Sequence, residues 1–301
     1  MMRQTTVVTS IFLVFLLLLI AGFLLYQERW VFVSSETEET KESADGLTVD
    51  GTGLVAESPV LETNNEEQTR AIAAGSYLIS GEKISGWNTE KRWPIASITK
   101  LLTALVAEEI MQPTEVVEIT QSAVDTLGES GGFMAGENFQ IRDLIKAMLL
   151  VSSNDAATAL AQHYGEERFI AEMNRIAEEA GMENAHFVDP AGLSTQNQAP
   201  IKDLVSLVHH IWRKYPLLLQ LSRQSTDLIV DTKTNQIRQL VSINQFAGRI
   251  DFLGGKTGSL PEADGNLVSV FNVAGRAEPV VIVVLGSKDR FGETTNILNG
   301  L

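Results

Sequence analysis

Residues 7–26, VVTSIFLVFLLLLIAGFLLY, form a 20-residue run without a charged side chain. As a helix, such a run is long enough to cross about 30 Å of hydrocarbon. The alternative is a cleaved signal peptide, whose apolar core is usually shorter and ends in small residues before the cut. Here Leu24, Leu25 and Tyr26 lead directly into Gln27, Glu28 and Arg29, with no A-x-A pattern. Tyr26 and Trp30 stand where interfacial aromatics belong. The sequence therefore predicts an N-terminal transmembrane anchor over residues 1–30. Arg3 and the amino terminus favour an inward N-terminus, which puts everything after residue 30 on the extracytoplasmic side of the membrane.

Residues 31–70 carry ten acids against Lys41 and Arg70 and show no sustained periodicity. Such a segment repels itself and reads as a disordered acidic linker that lets a domain stand off the membrane. The whole chain has a net charge of −15 and no basic stripe, which argues against a nucleic-acid partner. It has no cysteine, so disulfides, thiol catalysis and cysteine metal sites are excluded. Globular patterning begins at residue 71, and residues 71–301 are expected to form one domain.

Within that domain the hydrophobic period changes twice. AIAAGSYLIS and KISGW read as two strands around a Ser80-Gly81-Glu82 turn. Pro94 precedes the helical pattern Ile98, Leu101, Leu102, Leu105 and Val106, with Pro expected near the first turn. VVEIT is a short strand. IRDLIKAMLLV and DAATALAQHYG read as helices on either side of a Ser152-Ser153-Asn154 break; ERFIAEMNRIAEEAG and IKDLVSLVHHIWRKY are amphipathic helices. TDLIVD, IRQLVSI, FLGGKTGS, NLVSVFNVAG and PVVIVVLGS return to strand character, and a closing helix is expected near Glu293. Strands at both ends with helices between predict an α+β domain whose terminal strands share one antiparallel sheet.

A serine hydroxyl is a poor nucleophile until a base takes its proton. The four histidines are poor candidates: His209 and His210 are adjacent and face different ways, while His163 and His186 are isolated. No G-x-S-x-G or H-E-x-x-H motif occurs. Lysine is then the expected base, and the chain holds S-x-x-K pairs at 80–83 and 97–100. In SITK the pair lies on a predicted helix, so Ser97 and Lys100 are neighbours on one face, beside free first-turn N–H groups. In SGEK the pair falls in a hairpin turn, with Lys83 in solvent, and is read as an accident. For Lys100 to act as a base it must be neutral, which burial and a second nearby cation promote. Lys256, in GGKTGS, is the candidate for that cation. Ser152 and Asn154 interrupt an apolar helix; by themselves they read first as a helix N-cap with Asp155 following. A second S-x-N, Ser242-Ile243-Asn244, sits in a predicted strand and is read as a decoy.

An ordered set of S-x-x-K, S-x-N and KTG characterises serine β-lactamases and penicillin-binding proteins. PIASITKLLTA, LLVSSNDAATALA, HFVDPAGLS and GGKTGS together resemble the serine D-Ala-D-Ala carboxypeptidase family, the low-molecular-weight penicillin-binding proteins, over roughly residues 70 to 290. The resemblance implies a five-stranded antiparallel sheet flanked by helices plus an all-helical subdomain. It implies that Ser97 attacks the D-Ala-D-Ala amide of a peptidoglycan stem peptide, with Lys100 as general base. Ser152 would relay a proton to the leaving D-alanine, and Asn154 would bond the substrate amide and Lys100. Lys256 would attract the substrate carboxylate, to which Thr257 donates a hydrogen bond. Gly258 would let the substrate backbone approach, and the N–H groups of Ser97 and Ser259 would form the oxyanion hole. β-Lactams would acylate Ser97 as covalent inhibitors. No cofactor or metal is implied.

Some features depart from the family pattern. KTGSLPEADG has Leu260 where threonine is usual, with Asp264-Gly265 shifted by one residue, which bears on substrate contacts beyond Ser259. Other readings are a DD-endopeptidase of peptidoglycan cross-links, a class A-like β-lactamase, and a non-catalytic sensor of peptidoglycan or β-lactams. The β-lactamase reading calls for a deacylating Glu, whereas AHFVDPAGLS offers Asp189.

Overall fold

The strand-like segments from the two ends of the domain meet in one sheet. A computed structural model of the chain describes residues 70–128 and 131–301. The expected anchor over 1–30 and almost all of the acidic linker lie outside the described residues. Among the described residues no helix is long and apolar enough to cross a membrane.

The main sheet contains β1 (Ala73–Leu78), β2 (Lys83–Trp87), β9 (Phe252–Leu260), β10 (Asp264–Phe271) and β11 (Val280–Ser287) in the order β2-β1-β11-β10-β9. Every neighbouring pair is antiparallel. PVVIVVLGS is continuously apolar because β11 lies in the middle and is covered on both faces. Val281, Val283 and Leu285 face the large core shared with the helices. Val280, Ile282 and Val284 face a second cluster with Phe252, Phe271 and Ile297, under the last helix, α8 (Arg290–Asn299).

The helical layer begins with a 3₁₀ turn, Ala96–Ile98, which runs into α1 (Thr99–Ile110). Every residue of α1 from Thr99 to Ala107 is buried, the mark of a helix at the centre of a core. Around it lie α2 (Gln121–Val124), α3 (Ile141–Leu150), α4 (Asn154–Tyr164), α5 (Glu166–Glu179), α6 (Ile201–Lys214) and α7 (Pro216–Ser222). Three two-stranded pairs complete the fold: β3 (Trp93–Pro94) with β6 (Gln198–Ala199), β4 (Val116–Glu118) with β5 (Asn138–Gln140), and β7 (Thr226–Val230) with β8 (Ile237–Val241).

Three expectations need correction. Pro94 is in a strand pair rather than in the first helical turn, because Ala96 takes φ +50° and the chain bends before α1 starts. TDLIVD and IRQLVSI form a separate hairpin, not part of the main sheet; its outward residues Leu228, Ile237 and Val241 are exposed. Ser242–Asn244 follow β8 rather than lying in it.

Candidate active site

Ser97 is carried by the 3₁₀ turn and Lys100 by the first turn of α1. Side chains three apart nearly eclipse at a 3₁₀ turn, so the lysine folds back onto the serine. Lys100 Nζ lies 2.8 Å from Ser97 Oγ. Lys100 is completely buried, while Ser97 is half-buried and reachable. Burial disfavours an ammonium relative to the neutral amine.

The break between α3 and α4 brings in the second group. Capping and lysine contacts fall on different residues of it. Ser153 is the N-cap of α4 and accepts a hydrogen bond from the Ala156 N–H at 3.0 Å. Ser152 takes φ +60°, a strained value for a residue with a side chain. Ser152 and Asn154 thereby face the lysines. Lys100 Nζ donates to Asn154 Oδ1 at 2.6 Å, and Asn154 Nδ2 donates to the Leu127 carbonyl at 2.6 Å. Buried Asp155 accepts from the Ser153 hydroxyl and from the Gly131 N–H, tying the neighbouring loop to the start of α4.

The third group comes from β9. Buried Lys256 donates to Ser152 Oγ at 2.9 Å and to the Thr257 carbonyl at 2.9 Å. The three motifs therefore come together as two hydrogen-bonded groups, Ser97–Lys100–Asn154 and Ser152–Lys256, linked by the chain through residues 152–154 of the break. Gly258 sets the distance between β9 and Ser97. A Cβ there would lie 2.7 Å from the Ile95 carbonyl and 3.2 Å from the Ser97 N. Thr257 is buried beside Lys256, and Ser259 is exposed on the far side of Gly258. The departure in KTGSLPEADG leaves this strand in register, with Leu260 opposite Asp264 and Ser259 opposite Gly265. Asp264 absorbs the turn at φ +51° and pairs with Lys288 at 2.5 Å.

Sequence reasoning missed two contributors. Arg290, at the start of α8, donates to the Gly258 carbonyl at 2.6 Å and brings a guanidinium to the exposed end of the KTG strand. A lone arginine some thirty residues past the motif carries no spacing signal. The Ala191 carbonyl accepts from Lys100 Nζ at 2.8 Å. A backbone acceptor has no sequence signature at all.

The rejected candidates lie elsewhere. Ser80 and Lys83 are exposed, and Lys83 reaches Thr89. His163 pairs with Glu115 and His209 bonds the Ile79 carbonyl. His210 stacks on Tyr215; burial, and then Lys214, hold its imidazole below the usual histidine range. Asp189 accepts backbone N–H groups from residues 191–194.

A family model for D-alanyl-D-alanine carboxypeptidase matches residues 62–289. The chain belongs to this family of serine peptidases. A D-alanyl-D-alanine endopeptidase of Pseudomonas aeruginosa is 33% identical over 239 residues, covering 75% of this chain and 74% of the relative. The D-alanyl-D-alanine carboxypeptidase DacF of Bacillus subtilis is 26% identical over 231 residues, 73% of this chain and 59% of the relative. Among solved structures, the Streptomyces K15 DD-transpeptidase superposes with a TM-score of 0.69 at 24% identity, covering 77% of this chain and 96% of that one. Its likeness supports the α+β fold, a five-stranded sheet with a helical layer.

Proposed function

We propose that this family member is a serine-type D-Ala-D-Ala carboxypeptidase that trims the terminal D-alanine from peptidoglycan stem peptides. The observation that carries the reading is Lys100 Nζ bridging Ser97 Oγ and Asn154 Oδ1, with Lys256 on Ser152 next door. Lys100 takes the Ser97 proton as the oxygen attacks the peptide carbonyl. The backbone N–H groups of Ser97 and Ser259 hold the developing oxyanion, worth a few kcal/mol in such sites. Ser152 relays a proton to the departing amine, and Asn154 holds the substrate amide. Lys256 and Thr257 receive the terminal carboxylate. Water then hydrolyses the ester on Ser97. A β-lactam enters by the same attack, but its amine stays tethered to the acyl group.

A second reading, DD-endopeptidase, is favoured by the name of the relative at 33% identity, above the carboxypeptidase at 26%. Incubation with pentapeptide monomers and with cross-linked dimers separates the two. Carboxypeptidase action frees D-alanine from monomers; release of monomers from dimers without free D-alanine overturns it. A class A β-lactamase mechanism is disfavoured because the Asp189 carboxylate is occupied by four backbone N–H groups.

For location, the reading is a domain over residues 71–301 held at the cell-wall face by residues 1–30, with 31–70 as tether. The full chain should sediment with membranes and a chain starting at residue 31 should not. Equal partition of both, or a mature N-terminus beyond residue 26, contradicts the anchor.

A further inference from the structure

Lys100 Nζ meets two oxygens that can only accept hydrogen bonds, Asn154 Oδ1 at 2.6 Å and the Ala191 carbonyl at 2.8 Å. A neutral amine has two N–H donors and one lone pair. With an N–H given to each of these acceptors, the lone pair is left facing Ser97 Oγ at 2.8 Å. The Ala191 carbonyl thus takes part in aiming the base, and its own position depends on how residues 188–197 are folded.

One carboxylate organises that loop. Asp189 Oδ1 accepts the N–H groups of Ala191, Gly192 and Leu193 at 2.9, 2.6 and 3.1 Å, and Oδ2 accepts that of Ser194 at 2.9 Å. The folded loop is pressed against the nucleophile's own turn. Gly192 has φ +79°, and a Cβ there would stand 2.0 Å from the Ala96 carbonyl and 2.9 Å from Thr99 Oγ1. Thr103 Oγ1 donates to the Pro190 carbonyl at 2.6 Å. Fully buried Asn197 closes the far end: its Oδ1 accepts from Val188 and Asp189, and its Nδ2 donates to the Asp189 carbonyl and to Thr99.

We propose that Asp189 is a positioning residue for acyl transfer. Its carboxylate folds residues 190–194 so that the Ala191 carbonyl directs the Lys100 lone pair at Ser97. The inference rests on the acyl-serine reading above. It makes the loop part of the catalytic apparatus through a backbone carbonyl that reaches Lys100.

The test is the second-order rate of acylation of the full chain by a fluorescent penicillin, measured against pH. The groups around Lys100 include Ser97 on its own segment, Asn154 from α4, beside the charged Asp155, and the Ala191 carbonyl with Asp189 behind it, while Lys256 of β9 bonds Ser152 two residues before Asn154. The carbonyl and the Asp189 charge both favour the ammonium form, so weakening them moves the acid limb to lower pH. Asp189→Ala is expected to lower the plateau about 100-fold, the scale of a catalytic group misplaced by roughly 1 Å. Asp189→Asn keeps an acceptor oxygen for the loop and loses the charge. Its plateau should return to within about tenfold of the unmodified chain while its acid limb stays displaced to lower pH.

Asp189→Ala acylating at the unmodified rate overturns the inference, as does Asp189→Asn being as slow as Asp189→Ala. If Asp189→Ala does not fold, Asp189→Asn decides alone: an undisplaced acid limb, or a plateau lost about 100-fold, overturns it. An unmodified chain that takes no penicillin on Ser97 contradicts the acyl-serine reading itself, a different failure.

Discussion

The two S-x-x-K pairs of this chain, Ser80–Lys83 and Ser97–Lys100, have the same spacing and opposite surroundings. The first spans the β1–β2 turn, where Gly81 takes φ +99°, both side chains are exposed, and Lys83 reaches only as far as Thr89. The second stands where a 3₁₀ turn enters a buried helix, and its lysine is surrounded by Ser97, Asn154 and the Ala191 carbonyl. Spacing brings a serine and a lysine together in both places. Only the second pair has the burial and the partners from distant segments that a lysine needs to serve as a base, because in water an ammonium keeps its proton.

The largest difference should come from the lysines themselves. Lys100→Ala is expected to slow penicillin acylation by about 10²–10⁴-fold, the usual worth of a positioned general base. Lys83→Ala should leave it unchanged. Equal rates for the two variants, by stopped-flow or gel labelling, would break the comparison.

The S-x-N pairs sharpen it at the next level. Ser152→Ala and Asn154→Ala each remove a direct contact to a buried lysine, and losses of about 10²–10³-fold in acylation are expected. Asn244 Oδ1 instead accepts from the Phe246 N–H. Asn244→Ala should cost about 1 kcal/mol of stability in thermal melts and nothing in acylation rate.

Glycines offer a third contrast. Gly258→Ala places a methyl against the Ile95 carbonyl and the Ser97 N–H, forcing β9 from the nucleophile, with acylation down about 100-fold. Gly81→Ala meets nothing within 4 Å. It should cost only the left-handed backbone penalty of about 1–2 kcal/mol, seen in melting and not in labelling.

The smallest effect concerns a histidine rejected as the base. His210 titrates below its unfolded value because it is partly buried and faces Lys214. Below the unfolded value near 6.5 the unfolded chain binds more protons, so stability rises with pH through that window and is lost as pH falls. His210→Gln should flatten this slope on the acid side of the ordinary histidine value and leave acylation untouched. A change in acylation with that variant would return histidine to the mechanism.

What the sequence made legible follows from where each signal resides. The β-sheet shared by both ends, the amphipathic helices and the order of Ser97, Ser152 and Lys256 are written in side-chain type and period. The S-x-N break was legible as two rival readings, and the structure assigns capping to Ser153 and the lysine contacts to Ser152 and Asn154. The bend at Ala96 was not legible, since an alanine at φ +50° is imposed by its surroundings, not preferred by the residue. The separate β7–β8 hairpin has strand residues like those of the main sheet, and only tertiary packing parts them. Arg290 and the Ala191 carbonyl were invisible because one is a lone charge and the other is backbone.

The central claim is that Ser97 is the nucleophile and that buried lysines activate it. It is tested most directly by treating the full chain and Ser97→Ala with a labelled penicillin, then mapping the adduct by peptide mass spectrometry. The account predicts one adduct, on the peptide containing Ser97, and none on the Ser97→Ala chain. An adduct on Ser80 or Ser152, or undiminished labelling of the Ser97→Ala chain, would contradict it.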